Sequence, residues 1–168
     1  DDSGDFAWRE LEHPTCGKQP SLGGILRDFQ REFPARQPKL NVTTFEVASA
    51  EARGDLDRVC LVGRGWWSDA WWREATASGL VHVGNHSWDH NHEAVSASRM
   101  RTRERGTFAA IDSAELADFE IRQAREYLDA QAPNPGAALF AYPYGELNPY
   151  LADDYFPAKG EASGAIAA

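Results

Sequence analysis

The spacing of apolar and polar positions changes several times along this chain, and each change marks an element. "SLGGILRDFQREF" (21–33) puts Leu22, Ile25, Leu26 and Phe29 at helical intervals, with Ser21 as N-cap and Pro34 and Pro38 as stops. "KLNVTTFEV" (39–47) is β-branched and apolar and predicts a strand. "RVCLVG" (58–63), a short apolar run closed by glycine, reads as a further strand or strand end. Trp66 to Ala77 reads as a helix ended by Gly79, and "LVHVGN" (80–85) as a buried strand. Ser113 caps a predicted helix from Ala114 to about Ala130, which "APNPG" (132–136) breaks. "AALFAYPYG" (137–145) predicts a strand running into a Pro/Gly turn, and "SGAIAA" (163–168) the start of one more. Residues 4–20 and 94–112 read as loop and polar segment. Helices alternating with short apolar strands imply parallel βαβ units, an α/β class that carries its chemistry at the C-terminal strand ends.

Composition narrows the function. An apolar fraction of 42% with 11% aromatics is that of a globular domain. The net charge of −9, from 17 basic and 26 acidic residues, excludes a nucleic-acid partner, whose phosphates demand a basic footprint. No apolar run approaches the roughly 18 residues of a membrane span, and no signal-peptide pattern is visible, so cytoplasm and cell envelope both stay open. The chain opens on Asp1-Asp2 and ends on small residues. The expectation is one domain over 1–168 with sequence missing at both ends. Cys16 and Cys60 could pair or stay free, and their spacing fits no cysteine-based zinc module.

The candidate chemistry sits in "GNHSWDHNH" (84–92), which holds three of the five histidines. His86 and His90, four apart, would share one face of a helical turn and could share a cation. Ser87 can hold the turn through local hydrogen bonds; it also stands where the HExxH zinc pattern needs glutamate. His90-Asn91-His92 offers a rival, β-type three-histidine geometry. Asp1-Asp2 adds an adjacent carboxylate pair, and "FAYPYG" (140–145) a strand turned by Pro143 beside two aromatic rings.

An Asp-Asp pair, then H-S-x-x-H after a strand, then a strand ending P-Y-G, resembles the motif order of the polysaccharide deacetylases, the NodB-homology carbohydrate esterases of family 4. "SLGGILRDF", "NVTTFEV" and "EIRQAREYL" are similar to the helices and strand between those motifs. The resemblance implies an irregular (β/α) barrel with fewer than eight complete units, in a bacterial hydrolase that removes acetyl groups from an N-acetylated or O-acetylated sugar. It implies Asp1 as catalytic base and Asp2, His86 and His90 as ligands of a divalent metal, zinc first, with cobalt, nickel or manganese as alternatives. Ser87 would order the histidine loop. The Tyr144 N–H would help hold the oxyanion, with Pro143, Tyr142 and the Tyr144 ring lining the substrate. Two imidazoles and one carboxylate leave open positions on a Lewis-acidic ion, and a nearby carboxylate can take a proton from water.

Two family features are absent from this sequence. Ala141 stands where the motif usually carries an arginine that orients the base, and no closing Leu-x-His follows the PYG turn; Leu11-Glu12-His13 is out of order. Those gaps leave a non-catalytic carbohydrate-binding relative as one alternative, and a hydrolase of C–N bonds in small cyclic molecules as another. A structural metal module on His90 and His92 is a third. His82 is expected in the core and His92 exposed. Trp66, Trp67, Trp71 and Trp72 are expected to pack on the sheet, and the arginines from Arg99 to Arg105 to face solvent.

Overall fold

Two parallel strands carry the histidine loop. The computed structural model describes residues 2–132 and 135–160; Asp1 and the strand predicted at 163–168 lie outside them. Strands β1 (Leu11–His13) and β2 (Gly17–Gln19) form a small antiparallel hairpin within the segment predicted as loop. After helix α1 (Leu22–Glu32), strand β3 (Val42–Glu46) is followed by α2 (Ala50–Cys60), α3 (Trp72–Ala77) and β4 (Val81–Asn85). β3 and β4 pair in parallel, from Val42 opposite Val81 to Glu46 opposite Asn85. The crossover between them is the βαβ unit that the alternating pattern predicts. The frame is mixed α/β, with two two-stranded sheets and no closed barrel among the described residues.

Capping explains several boundaries. Ser21 Oγ accepts the Gly24 N–H at 3.0 Å and starts α1 as predicted. Its buried face is narrower than the pattern suggests, because Ile25 is 52% and Phe29 36% exposed while Gly23 and Leu26 are covered. Gly23 lies so close under the Trp8 ring that a Cβ would come within 2.4 Å of it.

The strand expected at 58–63 is instead the end of α2 and a turn. Ser49 Oγ accepts the Ala52 N–H at 3.1 Å and launches a helix through Cys60, leaving Val59 and Val62 exposed. The helix expected from Trp66 begins only at Trp72. Before it, the Asp57 carboxylate accepts the Gly65 and Trp66 N–H groups, and Arg53 Nε donates to the Trp67 carbonyl, holding the chain irregular.

Residues 137–145 do not form a strand either. A 3₁₀ turn spans Pro135–Ala138, and pairing with β4 shrinks to one parallel bridge between Asn85 and Phe140. Ser113 does cap the later helix, Oγ to Leu116 N 3.4 Å. A separate short helix, α4 (Ser98–Arg101), precedes it; from Ser113, α5 (Ala114–Ala117) leads through a π turn, Asp118–Arg122, into α6 (Gln123–Gln131).

Trp71, Trp72, Val81, Val83 and Leu128 anchor the main core, so these two tryptophans pack as expected. Phe108, Ile111, Leu151 and Phe156 centre a second cluster. Gly84 lets the two strands close: a Cβ there would meet the Phe45 ring at 2.7 Å. No described helix is long and apolar enough to cross a membrane.

Candidate metal centre

The site is assembled at the C-terminal ends of β3 and β4. Asp2 is tied to β3 by its N–H, which donates to the Phe45 carbonyl at 3.1 Å, and His86 N donates to the Glu46 carbonyl at 3.0 Å. The segment after β4 is not the helical turn expected from the HxxxH spacing. Ser87, His90 and Asn91 have φ of 74°, 65° and 43°, the left-handed region, and side chains hold that shape. Asn85 Oδ1 accepts the Ser87 N–H at 2.9 Å, Ser87 Oγ accepts the His90 N–H at 2.8 Å, and Asp89 Oδ1 accepts the Asn91 N–H at 3.0 Å. These local turns are what Ser, Asn and Asp side chains offer a backbone.

The turn brings the two rings together, centroids 4.9 Å apart, facing the Asp2 carboxylate. His86 Nε2 lies 3.8 Å from Asp2 Oδ1 and His90 Nε2 4.0 Å from Oδ2, and one ligand atom from each residue falls within 4.8 Å of the others. Ligands of a tetrahedral ion at about 2.1 Å stand roughly 3.4 Å apart, so a small inward adjustment suffices. His86 Nδ1 is 3.0 Å from the Ala141 carbonyl, which can only accept; the proton therefore sits on Nδ1 and the Nε2 lone pair faces Asp2. Position 141 thus serves through its backbone, its side chain being too short to reach a base. The donor set fits a divalent cation.

Burial keeps both imidazoles neutral. It lowers the His86 pKa against the opposing pull of Asp2 and the Ala141 carbonyl. Burial, with His86 and His92 nearby, lowers His90 to about 3. In the unfolded chain His90 titrates near its ordinary 6.5, so between pH 6.5 and 3 the unfolded state takes up a proton that the folded state refuses. Stability of the metal-free protein should therefore fall as pH drops through that window, by an amount on the order of a few kcal/mol. Urea unfolding of wild type and His90→Gln across pH 4–7 checks this; equal pH slopes in the two proteins would refute it.

A cavity of about 330 Å³ opens over the cluster, within the range of ligand sites. Asp2, His86, His90, His92, Tyr144 and Trp67 line it. Tyr144 occupies the PYG turn at φ 61°, its ring 4.4 Å from that of His90, centroid to centroid. Burial raises its phenol to about 12, so it stays a neutral donor. Pro143 is buried beneath the turn. Tyr142, expected beside the substrate, packs instead on Phe140 and Phe156 in the second cluster and does not line this cavity. Trp67, expected to pack on the sheet, is half-buried; it packs on the Val47, Ala52, Leu56 and Val95 cluster and also lines the cavity wall. Cys16 and Cys60 are both free.

Sequence reasoning missed the polar support under the loop. Glu120 Oε2 accepts the Trp88 and Asp89 N–H groups, both at 3.2 Å, and Arg101 bridges Glu120 Oε1 and Asp89 Oδ2, 2.7 Å each. Arg101 was expected to face solvent; the buried carboxylate pair and the Phe119 ring, 3.8 Å away, hold it inside. In the sequence Glu46 is one polar position within a strand pattern. Its carboxyl is fully buried, neither oxygen has a hydrogen-bond partner among the described residues, and burial raises its pKa well above the usual range.

An α/β frame that converges one carboxylate and two imidazoles at strand ends, under a surface cavity, has the layout of a metal-assisted hydrolase site. The polysaccharide deacetylase family model matches residues 39–155, more than half of the chain, and the chain belongs to that family. No curated protein and no solved structure gives a match.

Proposed function

We propose that the protein is a metal-dependent deacetylase that hydrolyses acetyl groups from an N-acetylated or O-acetylated carbohydrate. The observation that carries this reading is the meeting of Asp2, His86 and His90 beneath the PYG turn in a chain of this family. Asp2 Oδ and the two Nε2 atoms would hold the cation, zinc first, with cobalt, nickel or manganese as alternatives. When bound there, such an ion supplies Lewis-acid polarisation of the acyl oxygen and activation of water. Asp1 would take a proton from water as its oxygen bonds to the acyl carbon and would pass that proton to the leaving amine or alcohol as the acyl C–N or C–O bond breaks, freeing acetate. The Tyr144 N–H would donate to the oxygen on which charge builds, a contact worth roughly 3–4 kcal/mol in comparable sites. Pro143 and the Tyr144 ring would form the wall against which the sugar lies, and Ser87 would keep the histidine loop in shape. The parallel β3–β4 pair and its bridge to Phe140 are read as an arc of the family's irregular (β/α) barrel.

Ala141 favours a second reading, a carbohydrate-binding relative without turnover, since its methyl group cannot orient a base. The two separate in one assay. Zinc-loaded protein is incubated with penta-N-acetylchitopentaose and with acetylated xylan, and free acetate is measured before and after chelation with dipicolinate. Acetate release that stops on chelation and returns with zinc supports the deacetylase. Binding of the oligosaccharide without acetate release selects the binder.

A further inference from the structure

The loop's histidines are not equivalent, and in His86 and His92 the contact at Nδ1 fixes which ring nitrogen carries the proton. His86 gives its Nδ1 proton to the Ala141 carbonyl and keeps a lone pair on Nε2. His92 is locked the other way. Its Nδ1 accepts the Ala94 backbone N–H at 3.0 Å, and because that group can only donate, the ring proton of the neutral imidazole must sit on Nε2. An Nε2–H cannot coordinate a cation; it can only donate. No described residue accepts from it, yet His92 lines the same cavity as the Asp2 cluster. Its ring lies 6.5 Å from that of Tyr144 at 22°, a near-parallel stack that fixes the imidazole plane, and 6.1 Å from His90.

We infer that His92 is a substrate-orienting donor, presenting Nε2–H to an acceptor oxygen of the bound glycan, a ring hydroxyl or an acetyl carbonyl. The inference deepens the carbohydrate reading above and rests on it. A donor with a preset tautomer and a braced ring loses little freedom on binding, which is what orientation of a sugar requires. The same tautomer removes His92 from the metal, so a His90–His92 cation site is not what this arrangement builds.

The test compares zinc-loaded wild type, His92→Phe and His92→Gln. Phenylalanine keeps a ring beside Tyr144 and deletes the N–H; glutamine carries an amide N–H to nearly the reach of Nε2. Affinity for penta-N-acetylchitopentaose is read by calorimetry, turnover by acetate release, and zinc content by elemental analysis. The expected result is about tenfold weaker binding in His92→Phe, unchanged zinc, and substantial recovery in His92→Gln. Equal affinity and turnover in wild type and His92→Phe overturn the donor role. Loss of zinc in His92→Phe overturns it in favour of a ligand. Should wild type bind the oligosaccharide without releasing acetate, the deacetylase reading falls and the affinity comparison still decides the role of His92. If wild type neither binds it nor releases acetate from it or from acetylated xylan, the donor assignment falls with that reading.

Discussion

Replacing Asp2 by asparagine is expected to weaken zinc binding by about 100-fold or more while leaving the fold standing. The asymmetry follows from where the charge of the site resides. Both imidazoles are neutral near pH 7, His90 because burial lowers it to about 3 and His86 because burial outweighs its partners. Asp2 therefore supplies the only negative charge in the three-residue set, and its loss removes most of the electrostatic attraction for a doubly charged ion. The structural cost is small. Its side chain is 43% exposed, and asparagine tolerates the left-handed backbone that residue 2 adopts at φ 52°. Zinc affinity measured by competition with a chromophoric chelator, alongside urea unfolding, checks both halves. Unchanged affinity would mean that the cation, if any, sits elsewhere, as a module on His90 and His92 requires.

The residues that carry the proposed chemistry were legible because they lie in short motifs with local cues. His86 and His90 follow a strand whose period is plain, and Ser87 and Asn85 signal a turn by their side chains alone. Spacing nevertheless suggested a helical turn, since periodicity does not report φ, and three left-handed residues make the same meeting of rings by another route. Strand 39–47 was legible for the same reason of pattern. Residues 58–63 and 137–145 were not, because a cap at Ser49 and prolines at 135 and 143 override apolar composition. Least legible were Glu46, Arg101 and Glu120. A charged side chain read alone belongs at the surface, and only chain-remote packing puts these inside. Ala141 carries the complementary lesson: its side chain removes an expected arginine, while its carbonyl fixes the tautomer of His86.

The largest loss of stability is expected from Arg101→Met. Methionine retains the apolar contact with Phe119 and the volume of the arginine stem, but it leaves the Asp89 and Glu120 carboxyls facing one another without their shared guanidinium. Both acid side chains are about 1% exposed, so water cannot take over. Breaking a buried pair from one side costs roughly 3–5 kcal/mol. Burial and the adjacent Asp89 already raise Glu120 from the ordinary 4.5 to about 8 with Arg101 present, and removing the cation raises it further. An acid whose folded pKa lies above its unfolded one binds more protons in the folded state, so its stability falls as pH rises from about 4.5 through 8. Below pH 8 Glu120 is protonated in both folded proteins, so the deficit of Arg101→Met against wild type should stay nearly level from pH 5.5 to 7 and widen as pH rises past 8, where only wild type has a cation to receive the ionised carboxylate. Because Glu120 also receives the Trp88 and Asp89 N–H groups, a loosened carboxylate lets the loop shift under His90, and zinc affinity should fall with stability. Urea unfolding at pH 6.5 and pH 9, with zinc titrations at pH 7, separates charge from packing: a deficit equal at the two pH values would place the loss in packing and leave the carboxylate pair without the part assigned to it.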